Sequence, residues 1–494
     1  MASHDDRSGK GGGAKVRLYA RRPDIFPRAV DGFYRRLKWA IMAVTLAIYY
    51  VTPWLRWDRG PYAPDQAVLI DLAHRRFYFF SIEIWPHEFY YVAGLLVMAG
   101  VGLFLVTSTI GRAWCGYACP QTVWTDLFLH VERFIDGDRN AQFRLKKAPW
   151  GMAKIGKRVA KHGVWLVIGL LTGGAWIFYF ADAPTLARAL IAGTAAPVAY
   201  GTIAVLTATT YGLGGLMREQ VCIYMCPWPR IQAAMLDERS LIVTYKDWRG
   251  EPRGHGLKRD AEGSAKAGAK VGDCIDCNAC VAVCPTGIDI RDGAQMACIT
   301  CALCIDACDQ MMAKVGRPRG LIDYATLEDC RTEAAGAPPV PIRRTVLRPR
   351  TFLYLGLWSA VGLAMLFMLG ARTRLDLHVA HDRNPLWVRM SDGSIRNGYT
   401  LKLRNMESRP RDVTLTLEGL PGATLWGAMQ AEEERGATLH FTLPPDRVSE
   451  QRIYVRAPAA DGKGQDFDFI LAATDSEGGQ DRDRSTFERP EEQP

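Results

Sequence analysis

Eight of the thirteen cysteines fall in two short runs, Cys274-x2-Cys277-x2-Cys280-x3-Cys284-Pro285 and Cys298-x2-Cys301-x2-Cys304-x3-Cys308. Thiolates at this spacing wrap [4Fe–4S] clusters, and in doubled motifs the fourth cysteine of each run crosses to the other cluster. The predicted ligand sets are therefore Cys274, Cys277, Cys280 and Cys308 for one cluster, and Cys298, Cys301, Cys304 and Cys284 for the other. The chemistry is one-electron transfer. Structural zinc joins two separated half-sites, whereas here four thiols crowd into one run, twice. Asp309 follows Cys308 where Pro285 follows Cys284, so the turn after the second run is altered.

A second set repeats in the first half of the chain: Cys115-Gly-Tyr117-Ala-Cys119-Pro120 and Cys222-Ile-Tyr224-Met-Cys226-Pro227. Cysteines four apart share one face of a helix. Packed side by side, two such units bring four thiols together at the membrane surface beneath the cluster-binding insert. Four soft sulfur donors suit Cu(I), zinc or a further iron–sulfur cluster, and Met217 and Met225 add thioethers that favour Cu(I). A single pair needs no more than a buried structural role. Its duplication argues for redox or metal chemistry. In a reducing cytoplasm these thiols form no structural disulfide.

The elements that carry these cysteines are membrane helices. Apolar stretches long enough to cross a bilayer occur around 37–55, 90–110, 163–181, 196–216 and 352–371 of the 494 residues. Lys and Arg cluster before the first (Arg21, Arg22, Arg28, Arg35, Arg36, Lys38), between the second and third (Arg144, Lys146, Lys147, Lys157, Arg158, Lys161) and between the fourth and fifth. The positive-inside rule puts those segments and the N-terminus in the cytoplasm and the C-terminus outside. The formal charge of +9 then reads as topology and attraction to anionic lipid, not as a nucleic-acid surface. Residues 1–35 show no cleavable signal.

The predicted organisation is a disordered basic tail over 1–35, a four-span region over 36–250, a cytoplasmic ferredoxin-like α+β insert with its linkers over 251–350, a fifth span over 351–372 and an outer all-β domain over 373–494. The polar stretch near 254–270 reads as a flexible linker. Period-two alternation at Tyr399-Thr-Leu401-Lys-Leu403, Val413-Thr-Leu415-Thr-Leu417, Leu439-His-Phe441-Thr-Leu443 and Phe467-Asp-Phe469 predicts a cysteine-free immunoglobulin-like sandwich. Lesser candidates are Glu83, Trp85, His87 and Glu88 beside the second span, a quinol-head site or an aromatic belt. His378 and His381 could take a metal ion or be surface histidines, and His130 sits four residues from Asp126 for a helical contact. Cys330 reads as a lone free thiol.

Together the two Cys-Pro motifs, with Gln121 after the first and Trp228-Pro-Arg230 after the second, the ferredoxin runs and the later Asp382-Arg-Asn-Pro385 and Asp392-Gly-Ser-Ile-Arg-Asn-Gly-Tyr399 resemble the FixG/RdxA/CcoG family of cytochrome c oxidase accessory proteins. The resemblance implies a five-span polyferredoxin of the bacterial inner membrane, with two [4Fe–4S] clusters and a periplasmic immunoglobulin-like domain. It implies cupric reductase activity, Cu(II) to Cu(I), in copper delivery during biogenesis of the cbb3-type oxidase. Cys115, Cys119, Cys222 and Cys226 are then the copper-handling, catalytic positions. The implied partners are oxidase subunits or copper chaperones and an unidentified electron donor. Other readings of the same residues are a quinol-linked conduit to a periplasmic reductase and a non-catalytic copper-holding or redox-sensing scaffold.

Overall fold

A computed structural model describes residues 24–490 apart from 255–271, 339, 341–343, 345, 373, 408, 446, 459–463 and 476–477. The predicted linker near 254–270 and most of the N-terminal tail lie outside the described residues. Contacts divide the chain into two compact units, one of residues 1–46, 103–174 and 201–352, the other of residues 47–102, 175–200 and 353–494.

The main helices, in chain order, are α1 (Phe33–Val51), α2 (Tyr90–Ile110), α3 (Ala113–Tyr117), α4 (Pro120–Asp136), α5 (Met152–Gly173), α6 (Pro197–Thr210), α7 (Trp228–Met235), α8 (Leu303–Lys314) and α9 (Pro349–Ala371). Among the described residues three helices are long and apolar enough to cross a membrane: α2, the run Met152–Tyr179 that begins with α5, and α9. A fourth span results if Ala183–Ala192 and Pro197–Met217, bent by 94°, count as one. Helix α1 does not qualify, because Arg35, Arg36 and Lys38 occupy its first two turns. Arg35 and Lys38 are buried there against Asp126 of α4, so the start of α1 serves an ion-pair layer.

In the first unit α5 and α6 pack closely, as glycine allows in membrane helices. A Cβ on Gly173 would lie 2.5 Å from the Leu206 carbonyl oxygen, and one on Gly169 3.3 Å from that of Thr207. Helix α4 is amphipathic and turns acidic groups inward: Lys161 reaches Glu132 and Asp136 at 2.9 Å each, and Arg218 reaches Glu132 at 2.8 Å. Residues 24–31 belong to this unit's packed surface and are not a disordered tail. The Arg28 and Ala29 amides donate to the Ala282 carbonyl (2.8 Å) and Asp138 (3.0 Å), Phe26 packs edge-on against Phe143, and Asp24 pairs with Lys146. The cysteine-rich insert is closed by a two-stranded antiparallel sheet that joins distant parts of the chain, Ile242–Tyr245 with Ile322–Ala325.

The second unit contains a small sheet of Val68–Asp71, Arg76–Phe79 and Ile82–Ile84. Glu83 pairs with Arg76 there, and Glu88 caps the Trp85 amide and lies 3.3 Å from Arg372, so structural contacts account for both carboxylates. From Leu375 on, two antiparallel sheets face each other. The strands Thr424–Gly427, Val448–Ala457, Ile395–Asn405 and Leu375–His381 neighbour in that order, with Val388–Arg389 also on Ile395–Asn405. The other sheet runs Thr438–Leu443, Arg411–Glu418, Gln465–Ala473, Gln480–Phe487. Their inner faces bury Tyr399, Leu401, Leu403, Val413, Leu415, Phe467 and Phe469, the alternation read from the sequence. His378 and His381 fall on opposite faces of their strand, as residues three apart must. His378 meets Asp483 while the His381 ring packs on Tyr399, so the pair does not form a metal site.

Candidate iron–sulfur and thiol site

Each cysteine run of the insert begins with the same backbone device. Asp276 and Asn278 in the first run, and Thr300 and Ala302 at matching offsets in the second, take left-handed conformations (φ +50°, +55°, +57° and +59°). Such conformations are costly for non-glycine residues and persist where surrounding structure over-determines them. Successive reversals turn backbone N–H groups toward one point, a concavity suited to iron–sulfur sulfurs. A short helix, Ala279–Val283, follows the first reversal and α8 follows the second.

Cys308 feels Cys280, Cys277 and Cys274, while Cys304 feels first Cys301, then Cys298, Cys284 and Cys280, so Cys280 lies near thiols of both predicted sets. Burial pushes Cys280 up to about 11 and Cys301 and Cys308 up to about 12. Bare thiols there stay protonated at neutral pH, so a bound metal must displace their protons. A space lined by Cys280, Cys284, Cys298, Cys301 and Cys304 lies between the runs. Among the described residues no three His, Cys, Asp or Glu side chains are placed as a single metal ion requires. A cubane takes four cysteines, one at each iron, so its ligands need not meet at one point. The donor set, the paired reversals and the burial fit two [4Fe–4S] clusters.

The other four cysteines lie in the same unit. Cys115 is in α3, and Cys119 ends that segment with extended backbone (φ −60°, ψ 127°) before Pro120 starts α4. Cys222 lies in a π-helical turn, Val221–Met225, and Cys226 is again extended (φ −78°, ψ 125°) before Pro227. The sequence pattern suggested one helical face for each pair. Proline disfavours helical backbone in the residue before it, so the second cysteine of each motif leaves the helix. The thiols are nevertheless neighbours. Burial, then Cys119, Cys115 and Cys226, push Cys222 up to about 12; burial raises Cys115 to about 11 against the nearby Arg112.

Contacts tie the first motif to the insert. Cys115 packs on the buried cluster of Val283, Ile299, Cys301, Leu303 and Ala307. The Tyr117 hydroxyl donates to the Cys301 carbonyl at 3.2 Å, and Arg112 donates to the Met296 carbonyl. The Cys115 thiol donates at 3.0 Å to Gln232, whose amide donates to Thr107. Beside Cys222 a small cleft is lined by Lys38, Asp126, Arg218, Glu219, Pro285 and Thr286, among others. Single-residue sequence reading missed Gln232 and Lys38. A glutamine six residues after Cys226 and a lysine in a span were the available signals. Asp126 goes to Arg35, with two contacts of 2.9 Å, and not to His130, whose ring packs on Trp39. Cys330 is a buried free thiol.

Comparison with known proteins supplies the lineage. A family profile described as a 4Fe–4S dicluster domain matches residues 217–327, and a 4Fe–4S binding domain matches 92–136. The profile for the IG-like fold at the C-terminus of FixG matches 365–490. Nitrogen fixation protein FixG of Rhizobium meliloti is 60% identical over 487 residues, covering 94% of this chain and 92% of that protein. This chain belongs to the FixG/RdxA family. Protein RdxA and Protein RdxB of Cereibacter sphaeroides are 58% and 57% identical, over 89% and 91% of this chain and 91% and 93% of theirs. A FixG/RdxA protein with these domains is an iron–sulfur electron-transfer protein with apolar, membrane-length helices.

Proposed function

We propose that this FixG/RdxA protein is a cupric reductase, converting Cu(II) to Cu(I) for copper delivery to the cbb3-type cytochrome c oxidase. The observation that carries the reading is the seating of Cys115 on the buried cluster that contains Cys301. Redox-active cysteines beside a soft-donor site suit reduction and transfer of copper, since thiolates and thioethers favour Cu(I). In this reading Cys274, Cys277, Cys280 and Cys308 hold one cluster and Cys284, Cys298, Cys301 and Cys304 the other. When bound, the clusters supply electrons one at a time. Cys115, Cys119, Cys222 and Cys226 hold the substrate copper ion. Gln232 orients Cys115 by accepting a hydrogen bond from its thiol, and Arg112 favours its thiolate.

The arrangement proposed around this site has five spans, with α1 the first, its basic start lodged at the cytoplasmic surface. The insert of 251–350 faces the cytoplasm beside the basic segments, and the sandwich of 373–494 lies in the periplasm. There it would meet oxidase subunits or copper chaperones. A second reading, favoured by the 4Fe–4S profile over 92–136, assigns Cys115, Cys119, Cys222 and Cys226 to a further cluster. Iron separates the two: about eight per chain for two cubanes, about twelve for three.

The deciding experiment mixes anaerobically purified, dithionite-reduced protein with excess Cu(II) and a Cu(I)-specific chelator. About two Cu(I) per chain are expected, one for each electron the two reduced cubanes hold, and none from a Cys115→Ala/Cys222→Ala variant that retains its iron. An equal Cu(I) yield from that variant refutes the site assignment, and Cu(II) binding without Cu(I) formation refutes the reductase.

A further inference from the structure

The two Cys-x-Tyr-x-Cys-Pro motifs are not equivalent, and the difference lies between their cysteines. The first motif has Gly116 where the second has Ile223. A Cβ on Gly116 would lie 2.7 Å from the Ile299 carbonyl oxygen and 3.0 Å from Cys301 Cα and the Thr300 carbonyl oxygen. These neighbours are backbone and cannot yield as a side-chain tip can. Only glycine lets the first motif lie this close to the second ferredoxin run. Tyr117 then secures the approach through its bond to the Cys301 carbonyl, and it is buried. Its counterpart Tyr224 is 72% exposed, with Met225 exposed beside it. The second motif shows no such glycine-permitted backbone approach, although Cys222 shares a cleft with Pro285, Thr286 and Ile299.

Lys38 and Arg112 lie near Cys301 and Cys298, and Arg291, Asp289 and Asp309 lie near Cys280 and Cys308, so both cysteine groups have a cation beside them.

We propose that electrons leave the insert through the cluster of Cys284, Cys298, Cys301 and Cys304 and reach the membrane-end thiols at the first motif, with Gly116 and Tyr117 as positioning residues. The proposal rests on the cupric reductase reading for its acceptor. One electron passes for each Cu(II) reduced to Cu(I), one cluster is oxidised by one electron, and no atom is transferred. The electron is replaced by a low-potential one-electron donor, dithionite in the assay.

The test uses the full chain with Gly116→Leu and Tyr117→Phe, and with Ile223→Leu and Tyr224→Phe as second-motif counterparts, all checked for unchanged iron content. Without copper, a redox titration followed by electron paramagnetic resonance should show the first-motif variants moving the midpoint of one cluster and leaving the other in place. A movement of both clusters together, or of neither, overturns the proposal. With copper, the rate at which Cu(II) reoxidises the reduced clusters should fall on the order of ten- to a hundredfold in Gly116→Leu, as a misplacement of about 1 Å can cost. Ile223→Leu and Tyr224→Phe should leave that rate unchanged; equal slowing in both motifs overturns the route. Should Gly116→Leu lose iron, Tyr117→Phe carries both measurements. If the unaltered protein reduces no copper while the single-cluster shift is present, the copper reading fails and the exit route through Cys301 stands.

Discussion

Replacing Asp126 by alanine should unseat the start of α1. The carboxylate accepts two contacts of 2.9 Å from Arg35 and lies 3.9 Å from the Lys38 ammonium, and the three side chains are 5%, 7% and 2% exposed. At an effective dielectric of about 20 these attractions are worth roughly 6 and 4 kcal/mol before desolvation is set against them. Desolvation takes most of that back, but the truncation leaves two cations buried without their carboxylate, which costs about 3–5 kcal/mol. For a unit of this size that corresponds to a fall in Tm of roughly 6–20 °C. Tryptophan fluorescence of the detergent-solubilised full chain follows the transition. Asp31→Ala is the control, because the Asp31–Arg36 pair is 70% and 76% exposed and solvent screens it. An apolar triple variant, Arg35→Met/Lys38→Met/Asp126→Leu, should recover to within about 1 kcal/mol, since well-packed apolar groups can replace a buried ion pair. Asp126→Ala melting together with the control would refute the reasoning. So would a triple variant no better than the single one.

Acidification tests the same carboxylate. Burial works to raise the Asp126 pKa, but Lys38 and Arg35 outweigh it and hold the group below the usual carboxylate range. A depressed folded-state pKa gives stability that is present above about pH 4 and is lost as pH falls through the lower folded value, so the chain should melt earlier below pH 4 and Asp126→Asn should flatten that dependence. Asp237 behaves alike: Ser240, Arg348 and Arg350 hold it at about 2 despite burial, and its contribution should disappear between about pH 4 and 2, checked by melting Asp237→Asn over that range. Lys38→Met should lower the midpoint potential of the Cys301 cluster by several tens of millivolts, from the loss of about 1–2 kcal/mol of charge interaction, in a redox titration. Gly173→Leu places side-chain atoms where the Leu206 backbone lies and should destabilise the chain by about 1–3 kcal/mol, read by melting.

The sandwich was the most legible part of the chain, because strand alternation is local: each buried residue of Ile395–Asn405 is announced by its neighbour two positions away. Less legible were features set by distant residues. The basic residues at the head of α1 look like a membrane flank until Asp126 is seen to hold them, and residues 24–31 look like a tail until their partners at 138, 146 and 282 are in place. The turn out of helix at Cys119 and Cys226 was written in the following prolines, but four-residue spacing suggested a continuous helix. Nothing in either Cys-Pro motif alone distinguishes the copy that meets the insert. The glycine at 116 acquires its meaning only from the backbone at 299–301.

The head of α1 is completed from far downstream. The amides of Tyr34 and Arg35 donate to the Asp306 carboxylate at 3.2 and 2.8 Å, and Asp306 sits on α8 between Cys304 and Cys308. During synthesis those two amides must wait for some 270 further residues before their acceptor exists. The head of the first helix and the second cysteine run thereby share one hydrogen-bonded joint, which neither end of the chain can complete alone.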